Sequence, residues 1–440
     1  MFTRRTMMLA TAAAVITPAI ARAAAPNAFV AVDGTQFRLG GRPYRFVGAN
    51  LWYGAWLGAE GTTGDRPRLS RELDALKATG VTNLRLLGGA EDSPLKNSIK
   101  PAMRDRDTEN EALLRGLDEL LAEMGRRDMK AVIYLTNFWE WSGGMMTYLY
   151  WTNGGRYLDM NDPAHPWPAF PDFTAGFYSQ AEAVALYHDH VRTVVGRINT
   201  VTGVAYAEDP TIMAWQLANE PRPGGSETIA AANLPAYYDW IRGTAALIRD
   251  LAPRQLISTG SEGLKGCMEE AECVATAHAS PAIDYVTAHI WPQNWSWVDA
   301  DDLENTMPEA ERLVADYIQR HRVIARDLNK PLVIEEFGFP RDAGYRPGTP
   351  AVMRDRFYGQ IYAAVEADAR DGGPLVGSNF WAWGGEGRPT HDDAAFRPGD
   401  AALVGDPPHE PQGWYSVFDA DASTRALIRR HADAMAGIGD

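Results

Sequence analysis

The sequence predicts an α/β fold closed into a (β/α)8 TIM barrel, with an N-terminal β-hairpin and long loops after the third and eighth strands. Three observations predict it. Eight short apolar or β-branched runs follow one another along the 440 residues, amphipathic helical patterns separate most of them, and the runs end in polar or aromatic residues. Alternating strands and helices make parallel βαβ units, and eight such units suggest closure. An open doubly wound sheet is the alternative. It usually carries a Gly-rich phosphate turn after its first strand, and no G-x-G-x-x-G follows Asn50.

The hairpin comes first: residues 29–32 and 36–39 flank Asp33-Gly34, a turn dipeptide. The eight runs are 45–50, 81–87, 131–137, 212–220, 255–262, 285–291, 331–338 and 377–383. Segments 70–79, 111–126, 181–199, 235–251, 308–329 and 351–368 repeat apolar residues every three or four positions, the period of a helix with one buried face. In such a barrel the chemistry sits at the C-terminal ends of the strands. Those ends carry Asn50, Arg85, Asn137, Asn219-Glu220, Glu262, His289 with Trp291, Glu335-Glu336, and Trp381 with Trp383. Charged groups are almost never buried unpaired, so this convergence predicts a site. The connection 138–176 holds Trp139, Trp141, Tyr148, Tyr150, Trp151, Tyr157 and Trp167, and 384–413 is rich in Gly, Pro, Asp and His. Loops longer than about 15 residues are commonly functional or disordered, and this aromatic content argues against disorder.

With 42 basic against 57 acidic residues the net charge is −15. Such a chain repels nucleic acid and anionic membrane surfaces, and a neutral polysaccharide or oligosaccharide suits it as a partner. Residues 1–23 read as an export signal: Arg4 and Arg5, an apolar stretch over 7–20, then Ala21-Arg22-Ala23. The Arg pair after Thr3 looks like a twin-arginine signal, with an ordinary secretory signal as the alternative. That leaves 24–440 as a single catalytic barrel domain, exported to the periplasm or secreted, and expected to be a monomer without a membrane span. Only Cys267 and Cys273 occur, and no Cys/His cluster has zinc-ligand spacing, so no metal or cofactor is expected. In an oxidising compartment the close pair can bridge, or remain two thiols.

Glycoside hydrolysis needs two carboxyl groups across the scissile bond, roughly 5–5.5 Å apart when configuration is retained. Glu220 and Glu336 lie on the fourth and seventh strands, which a narrow barrel can aim at a shared centre. From the second strand, Arg85 can hold Glu336 ionised. His289 can lie near Glu220 and shape its proton exchange. Glu335, next to Glu336 on the strand, should point the other way and serve structure, and Glu262 reads as a buried hydrogen-bond partner.

The run Trp215-Gln216-Leu217-Ala218-Asn219-Glu220-Pro221 resembles the Asn-Glu-Pro signature of clan A glycoside hydrolases. Val333-Ile334-Glu335-Glu336-Phe337-Gly338 is similar to the clan's Glu-Phe-Gly motif. The order Arg85, Asn219-Glu220, His289, Glu336, Trp381 resembles glycoside hydrolase family 5. Within it, Gly48-Ala49-Asn50-Leu51-Trp52-Tyr53, Asn137-Phe138-Trp139, the run from His289 to Trp295, and Phe380-Trp381-Ala382-Trp383-Gly384 resemble the β-mannanase subfamily. The resemblance implies Glu220 as acid/base, Glu336 and not Glu335 as nucleophile, Asn219 on the sugar 2-hydroxyl, Arg85 on the nucleophile, and Trp381 as the floor of the −1 subsite. It implies retaining cleavage of β-1,4-mannosidic bonds within mannans. Exo action releasing short products, a β-1,4-glucanase and a non-catalytic carbohydrate-binding barrel are the alternatives, and the last predicts a missing carboxylate where both are present. One position departs from the pattern: where the family often has Tyr two residues after the strand-6 His, this chain has Trp291, whose indole N–H can donate a hydrogen bond but not accept one. Trp52, Tyr53 and Trp139 are expected to contact sugar, with Trp295 and Trp297 as further platforms.

Overall fold

The computed structural model describes residues 28–438 apart from residue 398, so the export-signal reading of 1–23 lies outside the described residues. Val30–Asp33 (β1) and Gln36–Leu39 (β2) form the expected hairpin, with Gly34 supplying the positive φ of the turn. A third strand, Arg42–Tyr44 (β3), pairs with β2 and was not expected. This small sheet plugs the N-terminal mouth of the barrel. Phe37 meets Phe46 at 6.5 Å and Tyr285 at 5.5 Å between ring centres, in a core cluster with Val132, Met213, Val333 and Val376.

The barrel strands are Phe46–Asn50 (β4), Asn83–Leu87 (β5), Lys130–Tyr134 (β6), Ile212–Gln216 (β7), Leu256–Ser258 (β8), Val286–Ile290 (β9), Leu332–Phe337 (β10) and Leu375–Phe380 (β11). Their ladders are parallel, in the order β8-β7-β6-β5-β4-β11-β10-β9. The seam between β8 and β9 is closed by separate bonds. Asp284 N donates to Ile257 O at 2.7 Å, and Ser258 Oγ donates to Tyr285 O at 2.9 Å. Higher up, His289 N donates to Glu262 O at 3.0 Å. Apart from the first residue of β6 the strands are buried throughout, as a parallel sheet sheathed by helices requires. The expected (β/α)8 barrel is therefore the fold.

Three helices begin earlier than the periodicity suggested: Arg66–Ala78, Glu227–Leu251 and Leu303–Asp327. Pro235 and Pro308, read as helix starts, lie inside the last two. Both prolines are exposed, so the carbonyl that each deprives of a donor turns to water, which lowers the usual cost of an interior proline. Gly144–Thr152, in the loop after β6, is a helix the sequence did not reveal. Its residues GMMTYLYWT are apolar nearly all round and leave no one-sided stripe. Cys267 and Cys273 form a disulfide. Among the described residues no helix is long and apolar enough to cross a membrane.

Candidate active site

Glu336 sits near the end of β10, and Glu220 lies beyond the end of β7. The backbone at Glu220 is left-handed, φ +51°. A non-glycine residue held there costs on the order of 1 kcal/mol or more, so the surroundings must enforce it. They do so through Glu220 N, which donates to Gly260 O at 2.9 Å, and Asn219 N, which donates to Thr136 O at 2.8 Å. The neighbouring strand ends thereby fix the turn that aims this carboxyl.

Glu335 and Glu336 do not alternate as expected. The pairing of β10 with β9 skips Glu335, a register shift between Ile334 and Glu336. The irregularity lets both carboxyls reach the barrel interior, as bulges beside active sites commonly re-aim a side chain. Glu335 accepts from Gln216 and from Tyr285 Oη, the latter at 3.0 Å, below the site. Its structural role stands, and its direction is corrected.

Arg85 is fully buried and shared among four acceptors. It donates to Glu336 Oε1, to Asn219 Oδ1 at 2.7 Å, to Gln216 Oε1 at 2.8 Å and to Asn50 Oδ1 at 3.2 Å. Burial disfavours its charge, but the carboxylates of Glu336 and Glu335 outweigh burial and keep it protonated. Asn219 Nδ2 donates to Asn137 Oδ1 at 3.1 Å, which fixes the amide beside Glu220.

His289 Nδ1 lies 2.6 Å from Glu220 Oε1 and 3.3 Å from Glu336 Oε2. Burial opposes an imidazolium, yet the Glu336 charge and the bond to Glu220 push the His289 pKa well above its ordinary value. For Glu220 the balance runs the other way. Burial alone would raise its pKa, but the hydrogen bond and charge of His289 bring it below the usual carboxylate range, helped by Arg222 and by Trp139 Nε1, which donates to Glu220 Oε2 at 2.5 Å.

An oxygen of Glu220, a nitrogen of His289 and an oxygen of Glu336 all lie within 4.8 Å of one another. That spacing matches roughly the 5–5.5 Å of a retaining carboxyl pair and not the 6.5–9.5 Å of an inverting one. By spacing alone the three could also hold a divalent ion. The Arg85 guanidinium pairs with Glu336, and the neighbouring carboxylates favour the imidazolium at His289, so a cation there would meet like charge. Dialysis against EDTA is accordingly expected to leave turnover unchanged. Activity that is lost in chelator and restored by a divalent metal would count against this electrostatic assignment.

Above these groups opens a cavity of about 770 Å³, lined among others by Trp139, Asn219, Glu220, Trp291, Glu336 and Trp381. Trp52 and Tyr53 do not reach it. Both are buried against neighbouring rings, with Trp52 Nε1 donating to Gly405 O at 2.8 Å and Tyr53 Oη to Trp383 O at 3.0 Å. Their expected sugar contact is corrected to core packing under the site. Trp291 lines the cavity, but among the described residues it makes no hydrogen bond to Glu336. Its ring packs edge-on against Trp381 and Tyr415, and Gly338 leaves the room it needs. Of the other platforms Trp295 lines the cavity, and Trp297 packs behind it at 4.9 Å.

Several lining groups escaped the sequence reading. Arg222 donates to Glu262 Oε1 at 2.5 Å, and burial pushes the Glu262 carboxyl up to about 7 against the pull of Arg222. Glu140 is buried with neither oxygen bonded among the described residues, and burial raises its pKa to about 7. From the loop after β11, Pro407, His409 and Glu410 form one wall, facing Asn294. Burial pushes Glu410 well above the carboxylate range, and its Oε2 and His409 Nδ1 are buried without partners among the described residues. Unsatisfied buried polar atoms are costly, and sugar hydroxyls could satisfy them. The only sequence signal for this wall was the length and composition of the loop.

A family model described as "GH family 5 beta-mannosidase-like" matches residues 27–440. A mannan endo-1,4-beta-mannosidase 3 of Oryza sativa subsp. japonica is 32% identical over 93% of this chain and 81% of its own. A glycoside hydrolase family 5 mannosidase from Rhizomucor miehei superposes with a TM-score of 0.84 at 35% identity, over 94% of this chain and 99% of that one. A variant of that mannosidase in complex with mannosyl-fructose superposes at 0.85. The endo-1,4-beta-mannanase of the same fungus, at 22% identity and a TM-score of 0.66, shares the fold.

Proposed function

The chain belongs to the β-mannosidase-like group of glycoside hydrolase family 5, and from that premise we infer that it hydrolyses β-1,4-mannosidic bonds of mannans with retention, Glu336 acting as nucleophile and Glu220 as acid/base. The observation that carries this reading is the close Glu220–His289–Glu336 triangle, with Arg85 on one carboxyl and Trp139 on the other. Arg85 donates to Glu336 Oε1 and so orients the carboxyl that attacks the anomeric carbon. Glu220 protonates the departing oxygen, then takes a proton from the water that releases the sugar.

Low proton affinity at Glu220 does not contradict an acid role, because the proton belongs to the pair. Glu220–H beside neutral His289, and Glu220 carboxylate beside imidazolium, carry the same net charge and differ by one transfer across 2.6 Å. The anionic Glu336 favours the imidazolium. Once Glu336 is esterified that charge is gone, and the pair, having given its proton to the leaving group, stands ready as a base.

Attack from a chain end is a second reading, favoured by the Pro407–His409–Glu410 wall and by similarity to a solved mannosidase at 35% identity. The products separate the two. Within-chain cleavage gives mixed oligomers from mannohexaose and a rapid fall in galactomannan viscosity. Attack at ends gives one small sugar first, with viscosity nearly constant. Cleavage of cello-oligosaccharides but not of manno-oligosaccharides would remove mannan from the reading. We place the chain outside the cytoplasm, a reading supported by Arg4-Arg5 with the apolar stretch behind it and by a disulfide suited to an oxidising compartment.

A further inference from the structure

We propose that Trp167 is the stacking platform for a sugar ring of the leaving group, a specificity-determining residue that touches none of the reacting atoms; the proposal rests on the mannoside-hydrolase reading above. Trp167 is 60% exposed, the most exposed aromatic side chain among the described residues, and it lines the cavity. Its ring lies 6.4 Å from that of Trp139 at an interplanar angle of 26°. Trp139 is the ring whose N–H holds Glu220, so Trp167 stands one ring outward from the acid. The arginine two residues after Glu220, Arg222, sets its guanidinium 4.9 Å from the Trp139 ring centre and 5.8 Å from that of Trp167.

The segment carrying Trp167 is docked firmly. Asp172 accepts hydrogen bonds from Gly225 N, Ser226 N and Ser226 Oγ at 2.7–2.8 Å, at the start of helix Glu227–Leu251. Pro168 and Pro171 pack so closely on Gly225 that a Cβ there would come within 2.4 Å of Pro171 Cγ. The loop after β6 is thus clamped to the loop after β7, within a few residues of Glu220. Holding a largely exposed indole on a fixed cavity wall buries little apolar area in the free enzyme. The apolar face of a sugar ring would cover it. Glu336 and Trp381 come from β10 and β11, on the far side of the barrel from β6 and β7. A sugar over Trp381 therefore directs its leaving group toward Glu220 and Trp167.

The test compares mannotriose with β-mannosyl fluoride, whose leaving group has no ring. Trp167→Ala is expected to lower kcat/KM on mannotriose about tenfold, the scale of one lost aromatic stack, and to leave the fluoride within about twofold, which also shows that the variant folds. Trp167→Phe is expected to keep most of the mannotriose activity. An equal fall on both substrates, or no fall on mannotriose, overturns the platform alone. A wild-type enzyme that cleaves neither substrate overturns the mannoside reading and the platform with it.

Discussion

Glu336→Gln is expected to lower kcat on manno-oligosaccharides by roughly 10⁴–10⁶-fold, the scale seen when a catalytic unit loses its nucleophile, while mannotriose still binds. A neutral amide cannot attack the anomeric carbon, yet it has nearly the shape of the carboxylate. The cavity keeps Trp381, Trp139, Asn219 and its other lining groups, so ground-state contacts survive. The fold should survive as well. Arg85 loses its closest anion, but its bonds to Asn219, Gln216 and Asn50 remain, and Glu335 Oε2 lies 3.8 Å from its Nε. Leaving a buried guanidinium with a weaker partner costs stability, so the melting temperature should drop even though the protein folds. The control is Glu335→Gln, which disturbs Gln216 and Tyr285 below the site and leaves the nucleophile intact. Mannose release by each variant and calorimetric titration with mannotriose decide the matter. Near-normal turnover in Glu336→Gln beside a dead Glu335→Gln would exchange their roles.

That the two glutamates need such a control shows where the sequence was legible and where it was not. Parallel strands leave near-continuous apolar runs, so the eight runs and the polar groups at their ends were readable one by one. Arg85, Asn219, Glu220, His289 and Glu336 do converge, because a closed barrel aims its strand ends at one axis. Alternation along β10 failed at Glu335, because a bulge is a one-residue irregularity in hydrogen bonding and leaves no mark in composition. Trp52 and Tyr53 were misplaced for a related reason. They follow β4, and nothing local tells whether a ring turns up into the cavity or sideways under it. Carbonyls of Gly405 and Trp383, hundreds of residues away, decided that. The wall of His409 and Glu410 is harder still. It lies in a loop without periodicity, and its importance rests on burial, which appears only when the chain is folded.

Glu220→Ala is expected to separate the two chemical steps. The acid is needed to expel a poor leaving group and hardly at all for one that departs unaided. Turnover of mannotriose should therefore nearly vanish, while a dinitrophenyl β-mannoside still transfers its sugar to Glu336. The mannosyl-enzyme should then accumulate, because no base remains to activate water. Removing Glu220 also leaves the Trp139 N–H without its acceptor, and the vacated space beside the anomeric carbon admits a small anion. Azide needs no general base, so it should restore turnover and give β-mannosyl azide, the product of two inversions at one carbon. Intact-protein mass spectrometry should detect the intermediate, and proton NMR should fix the configuration of the azide. An α-azide, from a single inversion, would exclude Glu336 as a nucleophile. Failure of azide to rescue any substrate would leave Glu220 without its acid/base role and move the chain toward a carbohydrate-binding barrel.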